Sequence, residues 1–211
     1  MARCPLCESS EVAAYHQDKR RSYLQCGQCR LVHVPRQYHL SPAGEKAEYD
    51  KHQNTLDDPG YRRFLARLAE PLTERLSANS KGLDFGCGPG PALAAMLQER
   101  GHPISLYDSY YYADKAALQG PYDFITATEV LEHLANPGQE LKLLWQALAG
   151  GGILAIMTKL VFDRQRFAAW HYIRDPTHIC FYSRDTFNWL AKRLDATVTF
   201  IGNDLILLGK H

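Results

Sequence analysis

A chain of 211 residues, 45% hydrophobic and 22% charged, has the balance of an ordinary globular protein and the length for one medium domain with a small appendage. Its formal net charge is +1, which removes any bulk electrostatic case for nucleic acid or an anionic membrane. No apolar run approaches the roughly eighteen residues of a spanning helix, and the N-terminus lacks the basic-then-apolar order of a secretory signal, so a soluble, cytoplasmic protein is expected.

The chain opens on Cys4-Pro5-Leu6-Cys7, and Cys26-Gly27-Gln28-Cys29 follows after eighteen intervening residues. Each CxxC makes a tight knuckle that aims two thiolates at one point, and two knuckles supply the tetrahedral four-sulfur site that structural zinc prefers. The pieces VAAYH, SYLQC and RLVHV have strand composition, so residues 1–40 predict a zinc ribbon. No strand–CxxC–helix context favours redox chemistry. His16 and His33 read as surface or strand histidines rather than a fifth ligand, because four thiolates already close the shell. Such a module binds RNA or protein, or braces a larger domain; its residues do not choose among these.

Residues 41–80 predict a helical linker or lid. Ser41-Pro42 is an N-cap followed by a first-turn proline. Tyr49, His52 and Asn54 come in close succession, either as a solvated linker or as a lid over a site. Asp57-Asp58-Pro59-Gly60 reads as a turn. Phe64, Leu65, Leu68, Leu72 and Leu76 recur at three and four, the period of a packed helix, which Pro71 is expected to kink or split.

From Lys81 the elements alternate. Leu83 and Phe85 mark a buried strand, Gly86, Gly88 and Gly90 a turn, and Leu93, Met96 and Leu97 a helix that Gly101 ends. A strand that runs through glycines into a helix puts bare backbone and a positive helix end at one spot, where a carboxylate-bearing or anionic cofactor can sit. Ile104–Tyr107 is a second strand ending in Asp108, an acid placed to accept ribose hydroxyls. Tyr110, Tyr111 and Tyr112 follow, as a pocket wall or a surface patch. Tyr122–Ala127 is the next strand and leads into Thr128-Glu129-Val130-Leu131-Glu132-His133. A helix over 137–149 ends at Gly150-Gly151-Gly152, and 153–158 is a strand. Phe162–Arg174 reads as helical, Asp175-Pro176-Thr177-His178 as a turn, and Ser183 caps a helix through Leu194. Residues 197–201 and 205–208 close the chain as a hairpin. The order predicts an α/β three-layer sandwich.

Asp84-Phe85-Gly86-Cys87-Gly88-Pro89-Gly90, with Asp108, the YDFITATEVLEH strand and the later GGG-strand, resembles the class I S-adenosylmethionine-dependent methyltransferases over 81–211. That resemblance implies a Rossmann-like sheet with an antiparallel end, and cofactor contacts at Asp84, Gly86, Gly88, Gly90 and Asp108, with Tyr110, Thr128 and Glu129 nearby. Only fourteen residues separate Asp108 from Asp123, too few for the usual helix, third strand and adenine-contacting acid. A shortened or missing third strand, hence six strands, is expected, with Asp114 or the tyrosine run meeting adenine.

Glu129-x-x-Glu132-His133, joined by His178, is similar to the metal-binding cluster of small-RNA 3′-end 2′-O-methyltransferases and, for ExxEH alone, to ubiquinone-pathway O-methyltransferases. There the resemblance implies magnesium or manganese orienting a hydroxyl. Without metal, His133 or His178 is the candidate base, with Glu129. A ribbon ahead of a methyltransferase also resembles certain ribosomal-RNA guanine methyltransferases in architecture. Methyl transfer to a small molecule or RNA, an oxygen acceptor slightly favoured, is expected. The aromatic span 162–182, with Trp170 and Arg174, is expected to shape the acceptor pocket. The alternative is an RNA- or protein-binding ribbon on a catalytically idle scaffold.

Overall fold

The computed structural model describes residues 3–51 and 55–211, so His52 and Asn54 lie outside the described residues. The first three strands, β1 (Val12–Gln17), β2 (Ser22–Cys26) and β3 (Val32–His33), form an antiparallel meander. Helix α1 (Pro42–Tyr49) starts where Ser41 Oγ accepts the Gly44 N–H at 3.2 Å. Helix α2 (Pro59–Thr73) is capped by Asp58, whose carboxylate accepts the Tyr61 N–H at 2.8 Å. The expected turn at 57–60 is therefore a cap and first helical turn. Pro71 does not split α2: it lies in the last turn, with only Leu72 and Thr73 of the helix beyond it.

The second half alternates as expected. It comprises β4 (Gly82–Phe85), α3 (Ala92–Gln98), β5 (Ile104–Tyr107), β6 (Tyr122–Thr128), α4 (Pro137–Ala147) and β7 (Leu148–Met157). Then come the short α5 (Arg164–Ala168), the two-residue β8 (Cys180–Phe181), α6 (Arg184–Leu194), β9 (Ala196–Ile201) and β10 (Leu205–Lys210). Among the described residues the central sheet has six strands in the order β5-β4-β6-β7-β10-β9, parallel except for β10, which runs antiparallel to both neighbours. Between β5 and β6 stands only a 3₁₀ turn (Lys115–Gln119) capped by Asp114.

Two expectations need correction. The glycine triplet 150–152 does not terminate a helix but lies inside β7, which begins at Leu148 and pairs with Tyr122 there. The 162–174 segment is not one helix but α5 followed by a 3₁₀ turn (His171–Arg174), since its aromatic side chains are drawn to different partners.

Strand alternation divides the core in two. Phe124, Ala155, Met157, Leu205 and Leu207 face α2 and α3, whereas Ile125, Leu154, Ile156, Ile206 and Leu208 face α4 and α6. Strand β4 is buried throughout, and a side chain at Gly82 would stand 2.3 Å from the Phe124 ring, so only glycine admits that packing.

The small sheet is completed from far along the chain. β8 pairs antiparallel with β3, giving the order β1-β2-β3-β8. A third core cluster joins the two parts: Phe167 meets Tyr15, Tyr23 and Phe181 edge-on at 5.2, 5.1 and 5.2 Å. The first knuckle also lies on α4, where Gly138 N–H donates to the Pro5 carbonyl at 3.2 Å. No helix among the described residues is long and apolar enough to cross a membrane.

Candidate active site

A cavity of about 960 Å³ opens at the carboxyl ends of β4, β5 and β6, where open α/β sheets bind ligands. Its floor is the glycine turn. Gly86 has φ +72°, its N–H donates to the Tyr107 carbonyl at 2.7 Å, and a Cβ there would meet Val130 at 2.4 Å. Asp108 braces this turn. Its Oδ2 accepts the Gly88 N–H at 3.0 Å, and its Oδ1 accepts those of Tyr110 and Tyr111 at 2.8 and 3.2 Å. Three amide donors converge on one carboxylate and fix both loops relative to each other.

Gly86, Gly88, Gly90, Asp108, Tyr110, Thr128 and Glu129 all line the cavity. Thr128 Oγ1 is buried there with no hydrogen-bond partner, an orphan polar atom of the kind a ligand satisfies. Asp84 is placed differently. It is fully buried beneath the turn, accepting from Thr126 Oγ1 at 2.7 Å, and burial pushes its carboxyl up to about 6. Asp114 caps its 3₁₀ turn through the Ala116 N–H at 2.9 Å and does not line the cavity.

Helix α1 roofs the cavity, and phenols tie it down. Glu45 accepts from Tyr49 and Tyr110 at 2.7 and 2.8 Å, and Asp50 accepts from Tyr111 at 2.7 Å. Tyr49 then meets the His133 ring edge-on at 5.3 Å.

The opposite wall carries the ExxEH cluster. Glu129 adopts φ +52°, a conformation rare outside glycine and asparagine, with its N–H bonded to the Met157 carbonyl at 2.8 Å. That twist follows the end of β6, and its carboxylate lines the cavity. Glu132 is completely buried and accepts hydrogen bonds from Thr158 Oγ1, at 3.0 Å, and from the Tyr172 hydroxyl. Burial raises both carboxyls, and the proximity of Glu132 raises Glu129 further. The His133 and His178 rings lie 4.7 Å apart. His133 Nδ1 faces the Thr177 carbonyl at 3.2 Å and His178 Nδ1 the Tyr172 carbonyl at 2.8 Å. A carbonyl only accepts, so each Nδ1 carries the proton, and in the neutral ring Nε2 keeps its lone pair. Burial, and then the neighbouring His133, lower His178 to about 4, so it is neutral at physiological pH.

Ligand atoms of Glu132, His133 and His178 lie within 4.8 Å of one another; Glu129 stands outside that group. The four ribbon cysteines form a second cluster of the same tightness, with Sγ pairs Cys4–Cys29 at 3.4 Å and Cys7–Cys26 at 3.5 Å. A tetrahedron with Zn–S bonds of about 2.3 Å has edges of about 3.8 Å, so this cluster is consistent with a zinc site after a few tenths of an ångström of expansion.

Trp170 and Arg174, expected at the acceptor side, are not cavity residues. Trp170 packs on Tyr172 and Phe167 at 4.9 and 6.1 Å, and the Arg174 backbone carbonyl is held by Arg20. Among the Phe, Tyr and Trp side chains of the aromatic span, Tyr172 is the one that lines the cavity; Tyr182 instead donates to the Leu131 carbonyl inside the core. Residues that motif reading passed over do line it: Glu45, Lys115, Lys159 and Asp175. Lys159 follows β7 at its carboxyl end, a position that alone marks it as a candidate.

A family model described as "Methyltransferase domain" matches residues 57–199. The chain belongs to this methyltransferase family. It has a Rossmann-like sheet with antiparallel C-terminal strands and a small N-terminal sheet bearing the four-cysteine cluster. The ubiquinone biosynthesis O-methyltransferase of Shewanella pealeana is 30% identical over 91 residues, which span 43% of this chain and 38% of that relative. Two solved structures share the fold. An O-methyltransferase family protein from Burkholderia thailandensis has a TM-score of 0.54 at 15% identity, covering 83% of this chain and 61% of that one. A 1,6-didemethyltoxoflavin-N1-methyltransferase from the same organism has a TM-score of 0.54 at 14% identity, covering 93% and 97%.

Proposed function

We propose that this methyltransferase acts on a hydroxyl oxygen of a small molecule bound between the glycine turn and the Glu129–His133–His178 wall. The observation that carries this reading is the wall itself: a carboxylate of raised proton affinity and two imidazoles with fixed tautomers face the floor on which the cofactor would lie. An oxygen acceptor must lose a proton as it is methylated, and such a wall provides for that. S-adenosylmethionine, when bound, supplies an electrophilic methyl group on its sulfonium. The turn from Gly86 to Gly90, Asp108 and the unpartnered Thr128 hydroxyl hold it, and α1 with Tyr49 excludes water above it.

In this reading Glu129 takes the acceptor proton. Tyr172, whose hydroxyl lies 3.4 Å from Glu129 Oε2 and donates to Glu132, keeps the two carboxylates apart in role. Glu132, His133 and His178 fit a divalent cation, and their hard oxygen and nitrogen donors suit magnesium or manganese. Such an ion would lower the pKa of a bound hydroxyl. The ribbon cluster holds a structural zinc. The cavity's cations among the described residues are Lys115 and Lys159, too few for an RNA backbone and enough for one anionic group on a small acceptor. The similarity to the Shewanella O-methyltransferase supports an oxygen acceptor as well.

The test is formation of S-adenosylhomocysteine with a panel of phenols and catechols against primary amines, with magnesium or with chelator. Turnover is expected on hydroxyl acceptors, with losses of about 10²-fold or more in Glu129→Gln and His178→Ala. Turnover on amines alone, or unchanged rates in both variants, would overturn it. Insensitivity to chelator and to Glu132→Gln would remove the cation from the mechanism.

A further inference from the structure

We infer that Arg21, at the tip of the β1–β2 hairpin of the ribbon, is a positioning residue for the acceptor wall. It grips the segment whose opposite side orients both site histidines. Arg21 is 7% exposed, and no carboxylate lies within ion-pair distance of it among the described residues. A guanidinium in that setting must be satisfied by polar groups, and the ones it finds are backbone carbonyls of one loop. Nη2 donates to Ile173 and Asp175 at 2.8 and 2.9 Å, and Nη1 donates to Pro176 at 3.2 Å. Nε donates to the Tyr23 hydroxyl at 3.0 Å, which in turn donates to Asp18 at 2.9 Å. Arg20 takes the remaining carbonyl, that of Arg174, at 2.7 Å. Four consecutive carbonyls, 173 to 176, are thus held by two adjacent arginines of the ribbon.

The same loop sets the wall. The Tyr172 carbonyl holds His178 Nδ1 and the Thr177 carbonyl holds His133 Nδ1, one on each side of the gripped stretch. Asp175 accepts from the Thr177 N–H and hydroxyl at 2.8 and 2.6 Å, which fixes the turn between them. β3 continues the grip: the Val34 N–H donates to the Ile179 carbonyl at 2.8 Å, and His33 pairs with Cys180. The hairpin tip therefore acts on the site through the loop without touching the cavity. Lysine could not replace Arg21, because a single ammonium cannot span three carbonyls and a phenol from one rigid fork.

This inference rests on the reading of His133 and His178 as the acceptor wall, but its test does not need the acceptor. Arg21→Gln and Arg21→Lys are made in the full chain. Three quantities are read: histidine ring nitrogens by ¹⁵N NMR, amide hydrogen exchange, and S-adenosylhomocysteine affinity by calorimetry. The wild type should show both site histidines as fixed Nδ1–H tautomers. Arg21→Gln should average or shift those signals and raise exchange over 172–179 about tenfold or more. Affinity for S-adenosylhomocysteine should stay within about threefold, because the glycine turn is untouched. Arg21→Lys should give the same histidine change with smaller exchange, and carries the test if the glutamine variant does not fold. Unchanged histidine signals, or loosening confined to the β1–β2 hairpin, would overturn the inference; so would exchange rising equally across the central sheet. If the histidine change appears but His133→Ala and His178→Ala transfer methyl groups normally, the acceptor reading fails and the grip stands.

Discussion

Replacing Asp108 by Asn tests the floor of the site with a change of one atom. The wild-type carboxylate accepts three amide protons, two at Oδ1 and one at Oδ2. In the less disruptive orientation Asn keeps its oxygen toward Tyr110 and Tyr111 and turns its NH₂ toward the Gly88 N–H, donor against donor. One hydrogen bond to a charged acceptor, worth about 1.5–3 kcal/mol, is lost and a buried donor is left unpaired, at about 1–3 kcal/mol more. The other orientation loses two such bonds. Part of this is recovered as the turn relaxes, so a loss of about 2–4 kcal/mol in the organised turn is expected. If that turn binds the cofactor, S-adenosylhomocysteine affinity should fall between about 30-fold and about 10³-fold, at 1.4 kcal/mol per factor of ten. Calorimetric titration measures the affinity, and urea unfolding separates it from global stability. A Kd within threefold of wild type, with unchanged unfolding, would refute the claim that Asp108 organises the site.

Gly86→Ala puts a methyl group 2.4 Å from Val130 at φ +72°, so a stability loss of about 1–3 kcal/mol and weakened S-adenosylhomocysteine binding are expected, read by thermal unfolding and calorimetry. Elemental analysis should find about one zinc per chain, and Cys29→Ser should abolish it with a loss of about 4 kcal/mol or more and faster exchange in β8; full stability without metal would count against the site. Asp84 has a folded-state pKa of about 6 against an ordinary 3.8. The folded state binds that proton more tightly, so the group is neutral to stability below about pH 4. It then destabilises progressively up to about pH 6, by on the order of 3 kcal/mol. Unfolding free energies from pH 4 to 7 should show Asp84→Asn flattening this component relative to wild type, and parallel curves would argue that the carboxyl is not buried as described.

Much of the site was legible in the chain because it depends on short-range order. A strand feeding glycines into a helix, an acid at the next strand end and ExxEH after β6 all sit at carboxyl ends of parallel strands, and that placement follows from alternation alone. The short interval between Asp108 and Asp123 left no room for a third strand, and the sheet has six. The misreadings have a common cause. Gly150–Gly152 looks like a helix stop, yet β6 pairs with Leu148 and extends β7 back through the glycines. Trp170 and Arg174 sit in a segment that does reach the site, but whether a side chain faces cavity or ribbon depends on what packs behind it.

What the amino-acid order determined by itself is the set of chemical groups and their local geometry: two cysteine knuckles, a glycine turn, a terminal antiparallel hairpin. These rest on backbone preferences and spacings of a few residues. Only the tertiary structure decided that the ribbon is built into the methyltransferase domain. Strand β8, supplied about 150 residues after β3, completes the ribbon sheet, and the Arg20–Arg21 carbonyl contacts lie at similar separation. The Arg20 and Arg21 side chains end on backbone carbonyls, which have no side-chain signature in a sequence, so only the folded chain shows that the four-cysteine appendage and a histidine wall share one loop.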